Sequence, residues 1–321
     1  MAREPERSEN HADVFDCFGV KPADRPAVSC YLYAPVFPVV IDGQSAVIKR
    51  TRGPFGDARG LATWLGELSA GKVPVVAPLP VAKENPVQIG KRVWVAYPWV
   101  QGSAYQGTAE EIAAAGDLLG RLHAAPVTGR DMPHFAWPDH DQASVDEDIE
   151  GLDRVFGRHA PDVRERELPR FTAWLNDFMT QTLPAVKAAD LPTVPASMDF
   201  KASNLVYTPD GPVLIDPDNG EVAARLLDLA LAVLLFHNEA DAAPARLFTT
   251  PEWTVFRDAY TRHVELTPQE IRVWPAALRY MLLEWCVWSL IDADEWDDWT
   301  DPRKRSFLID LATLELDRFP L

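Results

Sequence analysis

The sequence has little of what marks a secreted, membrane-bound or metal-clustered protein. Its 321 residues include three cysteines, Cys17, Cys30 and Cys286, which are too far apart for a CxxC or Cys/His ligand motif. No apolar run reaches membrane-spanning length. The first residues are polar and charged, without the apolar core of a signal peptide. The sequence therefore predicts a soluble, cytoplasmic protein with no membrane partner.

Positive charge is also scarce. Lys and Arg number 31 against 48 Asp and Glu, which gives a formal net charge of −17 at pH 7. Such a surface repels phosphate backbones, so the sequence predicts no nucleic-acid partner. An acidic surface suits a cationic ligand, although many enzymes are acidic merely because that keeps them dispersed. Hydrophobic residues still make up 47%, enough for one large domain or two lobes that share a cleft.

The first hundred residues have the β-branched and alternating character of strands. Asp42-Gly43 is a hairpin signal in this region. Pro74 and Pro78 reduce the surrounding apolar run to a short edge strand or an extended loop. Between these features, the apolar spacing predicts a helix over 57–69. The strands are expected at 27–33, 36–41, 45–49 and 93–97.

After Gly102 the sequence changes to helical periodicity. Thr108 and Glu111 have the spacing of a capping box, and the apolar residues that follow lie on one helical face. The expected fold class is α+β, with a small β-rich lobe at residues 1–98 and a large helical lobe at residues 99–321. Further helices are expected at 146–157, 167–186, 222–238, 252–264, 268–291 and 303–317.

The most informative stretch is 197–216. Pro209-Asp210-Gly211 is a tight-turn signal between two short apolar strands. Folding this hairpin brings Asn204 opposite Asp216, and Asp199 lies in the loop that leads in. Transfer of a phosphoryl group from ATP needs such a cluster. One carboxylate handles the proton of the attacking hydroxyl, while a second carboxylate and an amide oxygen hold Mg²⁺.

This stretch resembles the catalytic loop and metal-binding segment of the aminoglycoside phosphotransferase family, relatives of choline kinases and protein kinases. The family's H-x-D-x-x-x-x-N and I-D motifs correspond to Ser197-Met198-Asp199 through Asn204 and to Ile215-Asp216. The resemblance implies a protein-kinase-like two-lobed fold. It also implies that Asp199 is the catalytic base and that Asn204 and Asp216 are Mg²⁺ ligands.

Other segments resemble the same family. Ala46-Val47-Ile48-Lys49 is similar to the third-strand lysine motif, which implies that Lys49 pairs with the α- and β-phosphates. The segment 97–102 resembles the interlobe hinge, which implies that backbone groups of Tyr97 and Trp99 bind adenine. Asp228 corresponds to the aspartate that braces the family's catalytic loop.

Three positions depart from the family pattern. Ser197 stands where the family has a histidine, so the catalytic loop must be braced differently. The expected glycine-rich loop is missing before the second predicted strand. The helix after Lys49 lacks a well-placed Glu, and its candidate partners are Asp57 and Glu67.

Tryptophans and carboxylates alternate near the end of the chain. They form either a core helix followed by a solvated acidic turn, or an acceptor-site wall with aromatic faces for a ring and carboxylates for ammonium groups. Asp218 is a further candidate, as a partner of the acceptor, a metal or water. The remaining candidates for the acceptor site are Trp288, Asp292, Asp294, Glu295 and Trp296.

The expected function is ATP-dependent O-phosphotransfer to a hydroxyl of a small molecule. The first candidate acceptor is an antibiotic (an aminoglycoside, an aminocyclitol, or a nucleoside- or sugar-containing compound), so that the enzyme confers resistance. One alternative is a metabolic kinase of choline, ethanolamine, homoserine or a sugar. Another is a catalytically dead kinase-like binding protein. ATP and Mg²⁺ are the expected cofactors, with GTP as the alternative donor, and the expected assembly is a monomer or homodimer.

Overall fold

The structure is a computed structural model, and it describes residues 11–31, 34–51, 53–81 and 84–321. Near the amino terminus a short helix, α1 (Ala12–Cys17), precedes a four-stranded antiparallel sheet. Its strands are β1 (Val36–Ile41), β2 (Gln44–Thr51), β3 (Val87–Ile89) and β4 (Arg92–Pro98), in the spatial order β1-β2-β4-β3. The predicted hairpin turn is confirmed, since Asp42 and Gly43 both have positive φ between β1 and β2.

The strand expected at 27–33 does not form in residues 27–31, and residues 32–33 lie outside the described part of the chain. The hydroxyl of Ser29 accepts hydrogen bonds from the N–H groups of Tyr31 at 3.1 Å and Val36 at 3.0 Å. The Ser29 hydroxyl thus stabilises a turn where a β-strand was expected, because a serine hydroxyl can compete with the backbone hydrogen bonds of a sheet. This turn precedes β1, where the family pattern would have its glycine-rich loop.

Two hydrophobic cores hold the molecule together. The smaller one lies between α1 and one face of the sheet, with Phe15, Phe37 and Trp94 at its centre. The larger one begins on the helix α2 (Phe55–Ala70), which follows the sheet's second strand, and continues through the helical region. Val95 and Tyr97 of β4 belong to this larger core as well, so the sheet and the helices form one packed body.

The apolar run around Pro74 and Pro78 forms an extended loop, one of the two predicted outcomes. Val76 donates its N–H to the carbonyl of Leu214 at 3.0 Å, and the Leu214 N–H donates to the Pro74 carbonyl at 3.0 Å. This loop therefore ties the sheet region to the hairpin that carries the predicted catalytic residues.

The second half of the chain is mainly helical. Three helices, α3 (Ala109–Ala124), α8 (Thr250–Tyr260) and α9 (Pro268–Met281), begin at complete capping boxes. The capping residues are Thr108, Thr249 and Thr267, and each box satisfies backbone N–H groups of the first turn. No helix among the described residues is long and apolar enough to cross a membrane. The helices are α3 (Ala109–Ala124), α4 (Gln142–His159), α5 (Pro161–Asn176), α6 (Leu183–Lys187), α7 (Arg225–Leu235), α8 (Thr250–Tyr260), α9 (Pro268–Met281), α10 (Val287–Asp292) and α11 (Pro302–Ala312).

Three predicted helices differ from the structure. Those at 167–186 and 268–291 are interrupted by π-helical turns at Phe178–Thr182 and Leu282–Cys286. The helix expected from residue 222 begins instead as strand β8 (Glu221–Ala224), which pairs antiparallel with β5 (Thr193–Ala196). A pairing over about thirty residues of chain is a tertiary effect that local periodicity does not reveal.

Candidate active site

The predicted hairpin at 197–216 forms as expected. Strand β6 (Leu205–Thr208) pairs with β7 (Gly211–Leu214), with Leu205 opposite Leu214. The N–H of Ile215 donates to the carbonyl of Asn204 at 2.9 Å, which extends the pairing by one residue. Asn204 and Asp216 therefore lie at the same end of the hairpin.

Lys49 on β2 reaches this hairpin end. Its ammonium forms a short ion pair with Asp216 and lies 3.1 Å from Asp218. Burial lowers the pKa of Lys49, but the two carboxylates outweigh it and the net direction is upward. Asp57 and Glu67 of α2 were the candidate partners of Lys49, and no ion pair among the described residues joins either of them to it. The ion pairs of Lys49 there are with Asp216 and Asp218, which α2 does not carry.

The oxygen atoms around Lys49 fit a hard divalent cation. Asp218 is buried, and its Oδ1 has no hydrogen-bond partner within the described residues. Burial raises the pKa of Asp218, and the nearby Asp216 carboxylate raises it further. The amide nitrogen of Asn204 is turned toward Asp199, which leaves its oxygen for a metal. Two carboxylates and an amide oxygen are the donors that Mg²⁺ and Ca²⁺ take.

Asp218, a candidate for the acceptor site, thus lies beside Lys49. Its position favours contact with metal or phosphate over contact with the acceptor. The described residues contain no cluster of three or more His, Cys, Asp or Glu side chains that could hold a metal. A metal here would rely on Asn204 and on phosphate oxygens to complete its ligands.

Asp199 lies next to this group, and both of its carboxylate oxygens have partners. Asn204 Nδ2 donates to Asp199 Oδ2 at 3.0 Å and to its carbonyl at 2.9 Å. The ammonium of Lys201 lies 3.4 Å from Oδ1. Burial raises the pKa of Asp199, while Lys201 and Asn204 act in the opposite direction. Lys201 was missed in the sequence, although its position two residues after Asp199 was a usable signal.

Asp228 braces the predicted catalytic loop through hydrogen bonds to its backbone. Its carboxylate accepts hydrogen bonds from the backbone N–H groups of Ser197 at 3.0 Å and Met198 at 2.8 Å. His123 Nε2 lies 2.9 Å from Asp228 Oδ2. Met198 has φ of +53°, a left-handed conformation that needs such support. The buried Ser197 hydroxyl has no hydrogen-bond partner within the described chain. The brace therefore acts through the backbone, which explains how serine can stand at this position.

The hinge residues are placed differently from the expectation for adenine. The N–H of Trp99 already donates to the carbonyl of Ser45 at 3.1 Å, so in this structure it is not free to donate to adenine. Tyr97 pairs with Val47 in the same ladder, and alternate residues of an antiparallel strand point their backbone groups to opposite edges. The backbone of Pro98 therefore faces away from β2.

The acidic run after α10 is partly neutralised by cationic side chains. Asp294 lies 3.1 Å from Arg158 and 2.6 Å from His159, and Asp298 lies 2.6 Å from Lys304. No hydrogen bond or ion pair within the described residues joins the carboxylates of Asp292, Asp294 or Glu295 to the catalytic loop. The nearby Trp296 is about half exposed. These contacts fit the solvated acidic turn, the first of the two alternatives for this segment, better than the acceptor-site wall.

Trp288 stands at a narrow cavity between α4 and α10, whose enclosed space of about 10 Å³ admits about one water-sized group. Two further carboxylates line the cavity, Asp148 and Glu284, and burial raises the pKa of each. His140 Nε2 lies 2.8 Å from Glu284, and Trp288 and Asp148 both line the cavity. The structure thus assembles an aromatic face and carboxylates at one place, with a different set of acids from the expected one.

Known structures share this fold. An aminoglycoside phosphotransferase from Alicyclobacillus acidocaldarius superposes with a TM-score of 0.58 at 17% identity, over 97% of this chain and 96% of that one. A microcompartment-associated aminopropanol kinase gives 0.63 at 14% identity, with 96% and 95% covered. Amicoumacin kinase hAmiN, solved with AMP-PNP, Ca²⁺ and its ligand, gives 0.60 at 14% identity, with 95% of each chain covered. The fold is therefore the α+β, protein-kinase-like two-lobed fold.

The family follows from the sequence match. The model of the APH phosphotransferase enzyme family matches residues 33–274, and the chain belongs to that family. None of the curated proteins matches the chain. Fold, family and site together define a phosphotransferase that acts on hydroxyl groups of small molecules.

Proposed function

We propose that this protein transfers the γ-phosphoryl group of ATP to a hydroxyl of an amine-bearing small molecule, with Mg²⁺ as the metal. The observation that carries the proposal is the convergence of Lys49, Asp216, Asp218, Asn204 and Asp199 at one hairpin end. Residues 1–98 form the nucleotide-binding lobe in this proposal. Residues 99–321 form the helical lobe with the catalytic loop and acceptor site.

Each group has a role that its position supports. Lys49, released from its carboxylates, binds the α- and β-phosphates as a compact positive charge. Asn204, Asp216 and Asp218 would hold Mg²⁺. When bound, the metal would neutralise the negative charge of the phosphates. Asp199 accepts the proton of the acceptor hydroxyl and orients its oxygen toward the phosphoryl group.

The adenine lies against the hinge, where the backbone offers one acceptor and one donor. The Pro98 carbonyl faces away from β2 and accepts the exocyclic amine, since proline has no N–H to donate. The next donor along the chain after Trp99 is the Val100 N–H, which replaces Trp99 in this role. The exposed ring of Trp99 and the buried ring of Tyr97 bound the base.

The acceptor is proposed to carry an amine that binds near Asp148 and Glu284. The aromatic Trp288 covers the same cavity, and an aromatic face beside carboxylates suits an ammonium group. The structural neighbours support this class, because their names record an aminoglycoside, aminopropanol and amicoumacin as acceptors or ligands. Two candidates follow: an antibiotic, in which case the enzyme confers resistance, or an amino alcohol of metabolism.

A screen for acceptor-stimulated ADP formation from Mg-ATP tests the proposal. Kanamycin, spectinomycin, ethanolamine and 1-amino-2-propanol are compared with glucose as a neutral acceptor. We expect one amine to raise the rate at least about tenfold over water alone. Asp199→Asn should then lower kcat at least about a hundredfold and leave ATP affinity unchanged, as for loss of a positioned base.

Other outcomes distinguish the alternatives. Tight Mg-ATP binding without ADP formation on any acceptor would indicate the catalytically dead binding protein. A higher kcat/KM for an amino alcohol than for any antibiotic would assign a metabolic role. Near-normal turnover of Asp199→Asn would remove that residue from the mechanism.

A further inference from the structure

The catalytic loop is linked to a second loop by a lysine that the roles above do not use. Lys201 Nζ lies 3.4 Å from Asp199 Oδ1 and 3.0 Å from Glu239 Oε2. The Lys201 side chain is only 12% exposed, against 43% for Glu239. The ammonium is therefore buried between the proposed base and a carboxylate that follows α7.

The loop that carries Glu239 is itself anchored. The N–H of Ala202 donates to the carbonyl of Phe236 at 2.9 Å, which fixes the loop against the residue after Lys201. His237 Nδ1 lies 2.8 Å from the Arg246 carbonyl, and its Nε2 lies 3.0 Å from the hydroxyl of Tyr105. A carbonyl can only accept, so Nδ1 carries the proton and Tyr105 donates to Nε2.

Glu239 has a left-handed backbone, with φ of +61°. A residue with a side chain reaches this conformation at a cost of about 1 kcal/mol or more, and it persists where the surroundings fix it. Here it directs the carboxylate at Lys201. Burial lowers the pKa of Lys201, but Asp199 and Glu239 outweigh it, so the net direction is upward and the side chain remains an ammonium.

The two oxygens of Asp199 are thus held from two sides. Asn204 fixes Oδ2, and it is also a proposed metal ligand, so its position depends on the metal. Lys201 fixes Oδ1 without any dependence on metal. A base that must meet a hydroxyl in one geometry gains from such a fixed contact, since misplacement by about 1 Å can cost about a hundredfold in rate.

We propose that Lys201, held in place by Glu239, is a positioning residue that orients the Asp199 carboxylate for phosphoryl transfer. This inference rests on the proposed function, in which Asp199 receives the acceptor's proton. The simpler alternative is an ordinary ion pair between Lys201 and the half-exposed Glu239, which would contribute little. The two alternatives differ in whether Lys201 is coupled to Asp199.

Thermal unfolding of the metal-free and nucleotide-free protein measures that coupling. Lys201→Met should lower Tm by about 3 to 6 °C, because the partly buried Asp199 loses its cation. In an Asp199→Asn background the same change should lower Tm by less than half as much. Lys304→Met is the matched control, since it removes a lysine paired with Asp298 on the surface, and it should shift Tm by less than about 1 °C.

ADP formation from Mg-ATP then tests the role in catalysis. With the acceptor found in the screen, or with water where no acceptor is found, Lys201→Met should lower kcat about 10- to 100-fold. The KM for ATP should stay within about twofold, which a general structural defect would not produce. Lys201→Arg should recover most of kcat because it keeps the cation. Glu239→Gln should lower kcat about threefold or more in the wild-type chain and cause no further loss in Lys201→Met.

Either experiment can overturn the inference. A Lys201→Met variant with wild-type kcat, or one whose Tm loss is the same with and without Asp199, would show that Lys201 does not position the base. An additive effect of Glu239→Gln would remove Glu239 from the role. If the wild-type protein forms no ADP at all, the proposed function fails, while the unfolding cycle still decides whether Lys201 holds Asp199.

Discussion

At the scale of single residues, the proposed function requires the charged side chains of the site to change partners when nucleotide binds. In the structure Lys49 is held by Asp216 and Asp218. Under that proposal, Mg-ATP requires the carboxylates for the metal and the lysine for the phosphates. The same aspartates therefore assist binding when Mg²⁺ is present and compete for Lys49 when it is absent.

This exchange predicts opposite effects of one substitution. Asp216→Asn should weaken Mg-ATP binding at least about tenfold, because it removes an anionic oxygen ligand. It should leave metal-free ATP binding unchanged or stronger, because Lys49 loses a competitor. Titration calorimetry with and without EDTA measures both. Asp210→Asn on the exposed hairpin turn is the control, and an equal loss with and without Mg²⁺ would contradict the metal assignment.

His237 gives a second prediction, on stability and pH. Burial lowers its pKa from 6.5 to about 4, with the Arg246 carbonyl and Glu252 acting upward and Arg246 and Arg303 downward. Below pH 6.5 the unfolded chain therefore binds a proton that the folded protein does not. This group's contribution to the free energy of unfolding is complete above pH 6.5 and falls as the pH drops toward 4.

From pH 7 to pH 5 this histidine should cost about 2 kcal/mol of stability, at about 1.4 kcal/mol per pH unit below 6.5. Urea denaturation at the two pH values measures the loss. His237→Gln can keep both hydrogen bonds but does not titrate, so its loss over the same interval should be smaller by about that amount. An unchanged difference between the two pH values would assign the pH dependence to other groups.

The site residues that were predictable lie close together in the chain. Asp199, Asn204 and Asp216 lie within the segment 197–216. The turn residues Pro209-Asp210-Gly211 in this segment predict its hairpin. Asp218 as a partner of Lys49, and His123 as a partner of Asp228, join segments more than a hundred residues apart. Such contacts depend on how helices and sheet dock, which no local pattern contains.

At the scale of elements, some helix contacts depend on glycines, which the apolar periodicity of the sequence does not reveal. Helix α3 packs closely on α8 at Gly116, where an added Cβ would lie 2.2 Å from the carbonyl oxygen of Phe256. On helix α2, an added Cβ at the exposed Gly66 would meet no atom within 4 Å. The same substitution should therefore have opposite signs at the two positions.

Gly116→Ala should lower the free energy of unfolding by about 2 to 4 kcal/mol, because the two helices must move apart. Gly66→Ala should raise it by about 0.5 to 1 kcal/mol, the difference in helix propensity. Urea denaturation of both variants at one pH measures the difference. If Gly116→Ala were as stable as the wild type, the close approach of α3 to α8 in the structure would be wrong.

Elements with their own signals were predictable, and elements defined by distant partners were not. The capping box at Thr108 and the hairpin at Asp42-Gly43 are confirmed. Strands β5 and β8 exist because they pair with each other, and the sequence of β8 alone favours a helix. The π-helical turns add residues to helices without changing their apolar character, so periodicity did not locate them.

At the scale of the whole molecule, excess negative charge is the property that remains after local pairing. Asp294 and Asp298 have cationic partners, so the acidic run is not by itself an attractant. The net charge of −17 nevertheless gives the surface a field that attracts cations and repels ATP. Within that field Asp148 and Glu284 are the partly buried carboxylates at the proposed acceptor cavity.

This charge distribution predicts how the acceptor's KM responds to salt. Raising NaCl from about 20 mM to about 300 mM shortens the Debye length from about 20 Å to less than 8 Å and screens the attraction. The KM of an amine acceptor should rise about threefold or more with little change in kcat, while the KM for ATP should not rise. Glu284→Gln should raise the acceptor's KM at low salt and make it less dependent on salt, because one of the attracting charges is gone. Initial rates at five salt concentrations decide between the alternatives. A KM that is flat in the wild type would show that these carboxylates do not attract the acceptor's charge, and would leave the phosphotransferase assignment in place.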